Sequence, residues 1–195
     1  MQAIVKNFFI TGPPKSGKTT LLMEIIKELK KRNYTIAGIT CPEVIKNNRR
    51  WGFKIIDLKT NKEGILASIE VPNGPVVSKY RVNMEDLEQI GVTALRNALY
   101  DESDIVIIDE IGKMELFSKN FANAVRDLLN SKKPVIGIVP IRSNHPLVLE
   151  IKKKRRDTKT YLITRQTSRN QREQIKTEII NSILTLTGKN NDKKD

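Results

Sequence analysis

Gly12-Pro13-Pro14-Lys15-Ser16-Gly17-Lys18-Thr19 is the stretch that decides the fold of this chain. It fits the spacing G-x-x-x-x-G-K-[ST] of a phosphate-binding loop. The residues before it, 4–10, are apolar and β-prone, and those after it, 17–32, carry apolar side chains at helical spacing. A strand, a glycine-rich turn and a helix form the context that this motif requires, because the loop N–H groups and the positive end of the helix then point at the same anion.

The residue types within the loop predict separate roles. Gly12 and Gly17 permit the turn and a close approach of the backbone to a ligand. We expect Lys18 to reach the β- and γ-phosphates of a nucleotide and to act in catalysis, and the Thr19 hydroxyl to bind Mg²⁺. The sequence therefore predicts a nucleoside triphosphate as the bound molecule, with Mg²⁺ as its cofactor.

A second motif supplies acidic residues for such a site. Asp104 is followed by the four aliphatic residues 105–108, typical of a strand buried on both faces, and then by Asp109 and Glu110. Ligands of parallel sheets bind beyond the carboxyl ends of strands, so we expect both acids near the loop. We interpret Asp109 as a Mg²⁺ ligand and Glu110 as the catalytic group that prepares water; the alternative is a solvated Glu110 at a strand end.

The composition of the chain limits the classes of protein to which it can belong. The chain has 195 residues, a formal net charge of +13 and a single cysteine, Cys41. These values predict a soluble, cytoplasmic protein with neither an intramolecular disulfide nor a transmembrane helix. The positive charge is concentrated in 142–172, which holds ten lysines and arginines against two acids. This segment is a solvated surface or attracts nucleotide, nucleic acid or another anion.

The order of the remaining patterns predicts the fold class. Strands alternate with helices, which indicates an α/β protein: a three-layer P-loop NTPase core with a mostly parallel sheet. We expect a single domain over 1–188, with 43–82 as a β-hairpin inserted between the loop and the Asp109 strand, and a disordered tail over 189–195. The further elements expected are a strand at 34–41, helices at 83–101, 119–130, 146–154 and 169–187, and strands at 134–139 and 160–164.

Three blocks together carry a family resemblance. They are the loop with its flanking residues, the Ile107–Glu115 block Ile-Ile-Asp-Glu-Ile-Gly-Lys-Met-Glu, and the residues 41–58. With them the chain resembles the THEP1 nucleoside-triphosphatase family, found in archaea and thermophilic bacteria and related to the human cancer-related nucleoside-triphosphatase. The resemblance covers residues 4 to about 140 and departs from the family pattern at Ile45, where we expect arginine.

The resemblance implies an activity and a set of contacts. The activity is Mg²⁺-dependent hydrolysis of ATP, GTP, CTP and UTP to the diphosphate and phosphate. Nucleotide contacts are implied for two segments, and their members are Gly12, Pro13, Pro14, Lys15, Ser16, Gly17, Lys18, Thr19 and Thr20, and Ile105, Val106, Ile107, Ile108, Asp109, Glu110, Ile111 and Gly112.

Several alternatives stay open at this level. An arginine that stabilises phosphate charge would be one of Arg49, Arg50, Arg155, Arg156 and Arg165, or would come from a second subunit. A small-molecule or nucleotide kinase would use 152–156 as a lid over the phosphates. A nucleic-acid-linked NTPase is less favoured, because aromatic residues are sparse and no motif for nucleic-acid binding is present. The sequence does not fix an oligomeric state.

Overall fold

Five parallel strands form the half of the sheet that carries the phosphate-binding loop. The computed structural model describes residues 3–189, and the part of the predicted tail at 190–195 lies outside them. The parallel strands run in the order β10-β1-β9-β8-β2, and the loop follows β1, which lies between β10 and β9. Their bounds are β1 (Asn7–Thr11), β2 (Ile36–Thr40), β8 (Ile105–Ile108), β9 (Val135–Ile138) and β10 (Thr158–Leu162).

Antiparallel strands extend this sheet beyond β2. The order continues as β4-β5-β7-β6, and β3 pairs with β4. The bounds are β3 (Glu43–Lys46), β4 (Arg49–Asp57), β5 (Glu63–Ser68), β6 (Val76–Val77) and β7 (Tyr80–Val82). The expected hairpin is therefore present as β4 and β5. The sequence missed β3, β6 and β7, which are too short to show a period-2 pattern.

Helices cover both faces of the sheet. They are α1 (Lys18–Lys31), α2 (Met84–Asp86), α3 (Thr93–Tyr100), α4 (Lys119–Asn130), α5 (Pro146–Leu149) and α6 (Arg169–Thr187). A π-helical segment, Leu87–Val92, joins α2 to α3, and another, Glu150–Lys154, follows α5. Two of the helices have side-chain N-caps: Asn83 accepts hydrogen bonds from two backbone N–H groups of α2, and Ser118 accepts one from the Phe121 N–H of α4.

Two hydrophobic cores lie on opposite faces of the sheet, as the alternation of strand side chains requires. In β8, Ile105 and Ile107 pack with α1 and α6, while Val106 and Ile108 pack with α3 and α4. All four side chains are fully buried, which confirms the prediction of a strand covered on both faces. The mostly parallel α/β architecture predicted from the sequence is also confirmed.

Strand boundaries differ from the expectation at both ends of the chain. β1 begins at Asn7, since Ile4 lies exposed before the sheet. β10 covers Thr158–Leu162 and not 160–164, because its pairing with β1 starts at Asn7 and Thr158. The effect is to place Ile163 and Thr164 beside the phosphate-binding loop, past the carboxyl end of the strand.

Candidate active site

The phosphate-binding loop connects β1 to the first turn of α1 and has the backbone that anion binding requires. Lys15 and Gly17 have φ angles of 60° and 85°, so successive N–H groups turn towards one side. Gly12 lies against the chain after β10, where an added Cβ would approach the Ile163 carbonyl oxygen to 2.0 Å. Both glycines are thus required by this local geometry.

Lys18 lies within the loop. Its ammonium group donates hydrogen bonds of 3.0 Å to the carbonyl oxygens of Gly12 and Pro13. These contacts hold the charge over the concave side of the loop, where phosphate oxygens would bind. The position agrees with the role expected of Lys18 from the sequence.

Asp109 ends β8 and is held rigidly. Its Oδ2 accepts hydrogen bonds from Thr40 Oγ1 at 3.0 Å and from the backbone N–H of Cys41 at 3.1 Å, and its side chain is buried. Burial raises the pKa of Asp109, and the two hydrogen bonds oppose that effect without cancelling it. The carboxylate has no ion pair with any of residues 3–189.

Glu110 has an unusual backbone. Its φ of 69° lies in the left-handed region, which a non-glycine residue seldom adopts and which is common at functional sites. This conformation directs the half-buried side chain towards the loop, into a cavity that Lys18 also lines. Burial raises the pKa of Glu110; Lys18 opposes this, and Asp109 adds to it. The result is a carboxylate with increased basicity.

The cavity has a volume of about 560 Å³ and brings most of the predicted site together. The residues that line it are Gly12, Pro14, Lys15, Gly17, Lys18, Thr19, Thr20, Glu43, Arg50, Phe53, Glu110, Pro140, Ile141 and Arg142. Two of the arginines lie opposite the loop: Arg50, which is paired with Glu43 at 2.6 Å, and Arg142. Arg50 was a candidate from the sequence for stabilising phosphate charge, whereas Arg142 counted only as part of the basic segment 142–172.

A second, smaller cavity adjoins the first. Its volume is about 290 Å³, and it extends from Thr19, Asp109 and Glu110 towards the loop after β8. Glu115 lies in its wall and is buried, and its Oε2 accepts a hydrogen bond of 3.0 Å from the Gly112 N–H. The sequence alone assigns Glu115 no function, since a charged residue in a strand-exit loop is normally solvated.

Thr19 and Asp109 fit the binding of Mg²⁺. They are oxygen donors, as this ion prefers, and both line the second cavity beside the loop. Over the described range 3–189, no group of three or more His, Cys, Asp or Glu side chains is arranged to hold a metal by itself. That arrangement suits Mg²⁺, which usually binds through few protein ligands and through the phosphates of the substrate.

The aliphatic residues of the second motif do not reach the nucleotide cavity. Ile105, Val106, Ile107, Ile108 and Ile111 are fully buried in the cores. Their side chains point into the two packed faces, so the expected contacts with nucleotide stay a prediction that the backbone of this segment would have to fulfil. They position Asp109 and Glu110 and keep water from the sheet.

The other candidate arginines have different places. Arg155 is held by Glu150 and Asp157 before β10, at the amino end of the sheet and so opposite the loop. This pairing does not suit the expected lid formed by 152–156. Arg49 lines a separate groove with Trp51. Arg172 lies beside Gly17, where its guanidinium donates to the carbonyl oxygens of Thr164 and Thr167.

Comparisons with known proteins identify this arrangement. A family model described as NTPase matches residues 7–180. The nucleoside-triphosphatase THEP1 of Methanosarcina acetivorans is 44% identical over 145 residues, which cover 74% of this chain and 81% of the relative. That of Korarchaeum cryptofilum is 38% identical over 179 residues, 92% of this chain and 87% of the relative. The chain belongs to the THEP1 nucleoside-triphosphatase family.

Two solved structures agree with this assignment. The crystal structure of THEP1 from Aquifex aeolicus has a TM-score of 0.71 and 34% identity, over 91% of this chain and 98% of that chain. The solution structure of a human cancer-related nucleoside triphosphatase has a TM-score of 0.74 and 31% identity, over 94% and 98%. The predicted family, P-loop fold and hydrolase class are thus confirmed. Across residues 3–189, every helix is too short or too polar to span a membrane.

Proposed function

We propose that this THEP1 protein hydrolyses ATP, GTP, CTP and UTP in a Mg²⁺-dependent reaction in which Glu110 activates the attacking water. The observation that carries the proposal is the position of Glu110. Its carboxylate has no ion pair among the described residues, lies in the cavity that Lys18 and Thr19 line, and is directed there by a left-handed backbone. A general base requires that combination of access and raised pKa.

The loop residues perform the binding part of the reaction. The N–H groups around Lys15 and Gly17 donate hydrogen bonds to the phosphate oxygens, and the Lys18 ammonium moves from the Gly12 and Pro13 carbonyls to the β- and γ-phosphates. As the bond from the γ-phosphorus to its bridging oxygen breaks, Lys18 stabilises the charge that develops there. Arg50 and Arg142 add positive charge on the opposite wall.

Glu110 performs the proton transfer. It accepts a proton from the water as the oxygen attacks the γ-phosphorus, and its raised pKa makes it a stronger base than an exposed glutamate. Bound Mg²⁺ would supply charge neutralisation at the phosphates, with Thr19 and Asp109 as its protein ligands. Thr40 and the Cys41 N–H keep the Asp109 carboxylate oriented for this task.

The chemistry of the wall supports tolerance of different bases. Beyond the loop, the described residues that line the cavity are the apolar Phe53, Pro140 and Ile141 and the charged Glu43, Arg50, Glu110 and Arg142, with no amide or hydroxyl side chain among them. Strong discrimination between bases needs polar groups that pair with one base and are left unpaired by another. This wall therefore suits several nucleoside triphosphates.

The test is phosphate release by the purified protein with each nucleotide, with and without Mg²⁺. We expect release from all four, none after chelation of Mg²⁺, and a fall of at least about 100-fold in Glu110→Gln with nucleotide binding retained. Glu102→Gln, an exposed glutamate before β8, is the matched control and should behave as the wild type. Unchanged turnover in Glu110→Gln would refute the role of Glu110, and release from a single nucleotide would refute base tolerance.

A further inference from the structure

The second cavity meets the nucleotide cavity at the reacting end of the site. Both are lined by Thr19, Glu43, Phe53 and Glu110. Glu110 therefore faces both cavities: the first is bounded by the phosphate-binding loop, and the second extends from Thr19 towards the loop after β8. A molecule in the second cavity would be next to the carboxylate that prepares the nucleophile.

Glu115 is a buried acid in the wall of this cavity, and its carboxyl group lacks a cationic side chain as a partner among the described residues. The carboxyl group is buried and accepts a hydrogen bond from Gly112, and no lysine or arginine within residues 3–189 comes within ion-pair distance of it. Burial raises its pKa to about 8, and the nearby charges of Glu110 and Asp109 add to this effect. A buried carboxyl group with so little compensation is costly, and a hydroxyl or ammonium group in the cavity would satisfy it.

The rest of the wall narrows the kind of molecule that fits. Cys41, Leu66, Val77 and Met114 provide an apolar surface. The acids of the wall outnumber its cations, since Lys113 is the only lysine or arginine among the described residues that line this cavity. Away from the Mg²⁺ site at Thr19 and Asp109, a phosphate or carboxylate would meet repulsion from Glu43 and Glu115. The volume, about 290 Å³, is at the lower end of the range for ligand pockets.

We propose that the second cavity binds a small neutral or cationic alcohol, which replaces water as the acceptor of the γ-phosphoryl group. Glu110 takes the proton of its hydroxyl group, and the alcohol oxygen forms a bond to the γ-phosphorus. The bond from that phosphorus to the β–γ bridging oxygen breaks, and the nucleoside diphosphate leaves with its electron pair. The products are a phosphomonoester and the diphosphate. This activity rests on the proposed function, because it uses the same loop and the same base.

The experiment uses phosphorus-31 NMR to identify the products that the full chain forms from ATP and Mg²⁺. Choline, ethanolamine, glycerol or n-butanol is present in large excess in each reaction. Uridine monophosphate is the anionic comparison. We expect the phosphomonoester of at least one of the four alcohols, and none from uridine monophosphate. Free phosphate as the sole product with every alcohol overturns the inference while hydrolysis stands. Formation of ester with an alcohol, together with no release of phosphate in buffer alone, supports the inference and refutes hydrolysis. The absence of both ester and free phosphate refutes both proposals.

A pair of variants ties the product to the cavity. Val77→Phe places a ring in the second cavity, whereas Val76→Phe changes the exposed neighbour on the same strand. We expect the ratio of ester to free phosphate to fall at least tenfold in Val77→Phe and to stay at the wild-type value in Val76→Phe. An equal ratio in all three proteins, measured after circular dichroism has shown that they are folded, places the acceptor elsewhere and overturns the inference.

Discussion

The amino end and the carboxyl end of the parallel strands both carry partly or fully buried acids, but the acids at the two ends differ in whether a cation pairs with them. At the amino end, Asp101 lies 2.8 Å from the ammonium groups of both Lys133 and Lys59, and Asp157 lies 2.8 Å from the Arg155 guanidinium. At the carboxyl end, Asp109, Glu110 and Glu115 have no ion pairs with the described residues.

The pKa values follow this division. At the amino end, burial raises the pKa of Asp101 and Asp157, but hydrogen bonds from the paired cations outweigh it and hold both below the usual range. At the carboxyl end, burial dominates and raises the pKa of Asp109, Glu110 and Glu115. Paired acids stay ionised and link elements, whereas unpaired acids remain free for a metal, a proton or a ligand. The comparison separates the charges that stabilise the fold from those to which we assign a part in the reaction.

The largest expected effect is at the carboxyl end. Lys18→Ala should lower kcat by about 1,000-fold, since it removes a positive charge that acts on the transition state. Steady-state phosphate release measures the change. Lys27→Ala, an exposed lysine of the same helix, should keep the wild-type rate. A Lys18→Ala enzyme within about tenfold of the wild type would show that the loop lysine is not essential.

At the amino end the expected loss is in stability. Lys133→Met leaves the partly buried Asp101 with Lys59 as its remaining ion-pair partner and also removes a donor to the Ala98 carbonyl oxygen. We expect the free energy of unfolding to fall by about 3 kcal/mol. Urea denaturation measures it, and Lys132→Met, at the exposed neighbour, should change little. Equal stability of the two variants would mean that the pairing does not support the fold.

Glu115 predicts a pH dependence of opposite sign to that of the paired acids. Its pKa is raised to about 8 in the folded protein, so the unfolded chain releases this proton at lower pH and the wild type loses stability as pH rises towards 8. Glu115→Gln lacks that loss. We expect its folding constant relative to the wild type to grow by at least about 100-fold between pH 5 and pH 8, or about 2.7 kcal/mol.

Denaturant titrations of both proteins at several pH values measure this difference. Glu102→Gln, which removes an exposed carboxylate, should remain parallel to the wild type over the same range. Parallel curves for the wild type and Glu115→Gln would show instead that Glu115 ionises as an ordinary glutamate.

The smallest effect concerns the arginines. Arg142→Ala should raise KM about fivefold, because an exposed charge near the phosphates contributes about 1 kcal/mol. Arg156→Ala, an equally exposed arginine at the amino end, should leave KM unchanged. Equal changes in the two variants would indicate a general effect of net charge and not a contact in the cavity.

The loop and its partner strand were predictable because their information is local. The spacing of Gly12, Gly17 and Lys18 specifies a backbone shape, and four aliphatic residues followed by two acids specify a buried strand that ends in the site. The alternation that predicts β8 also explains why its side chains are buried on the two faces of the sheet. Here the sequence predicted the element correctly, and the nucleotide contacts expected of Ile105–Ile108 stay a prediction.

The second cavity and the place of Arg142 depend on long-range packing. Glu115 is buried because the loop after β8 folds against the antiparallel strands, and this pairing has no signal in the Gly-Lys-Met-Glu stretch itself. Arg142 reaches the cavity because β9 lies beside β1, an order of strands that sequence spacing alone does not specify. Arg155 was a candidate on charge alone, and its pairing with Glu150 and Asp157 shows its contacts at the opposite end of the sheet.

The most direct test of the division between the two ends measures turnover and Tm for Glu110→Gln and Asp157→Asn side by side. We predict that Glu110→Gln loses at least about 100-fold in turnover with no fall in Tm, because neutralisation removes a poorly compensated charge. We predict that Asp157→Asn lowers Tm, because Arg155 loses one of its two acidic partners, and keeps turnover within about twofold. Turnover retained in Glu110→Gln, or lost equally in both variants, would contradict the account.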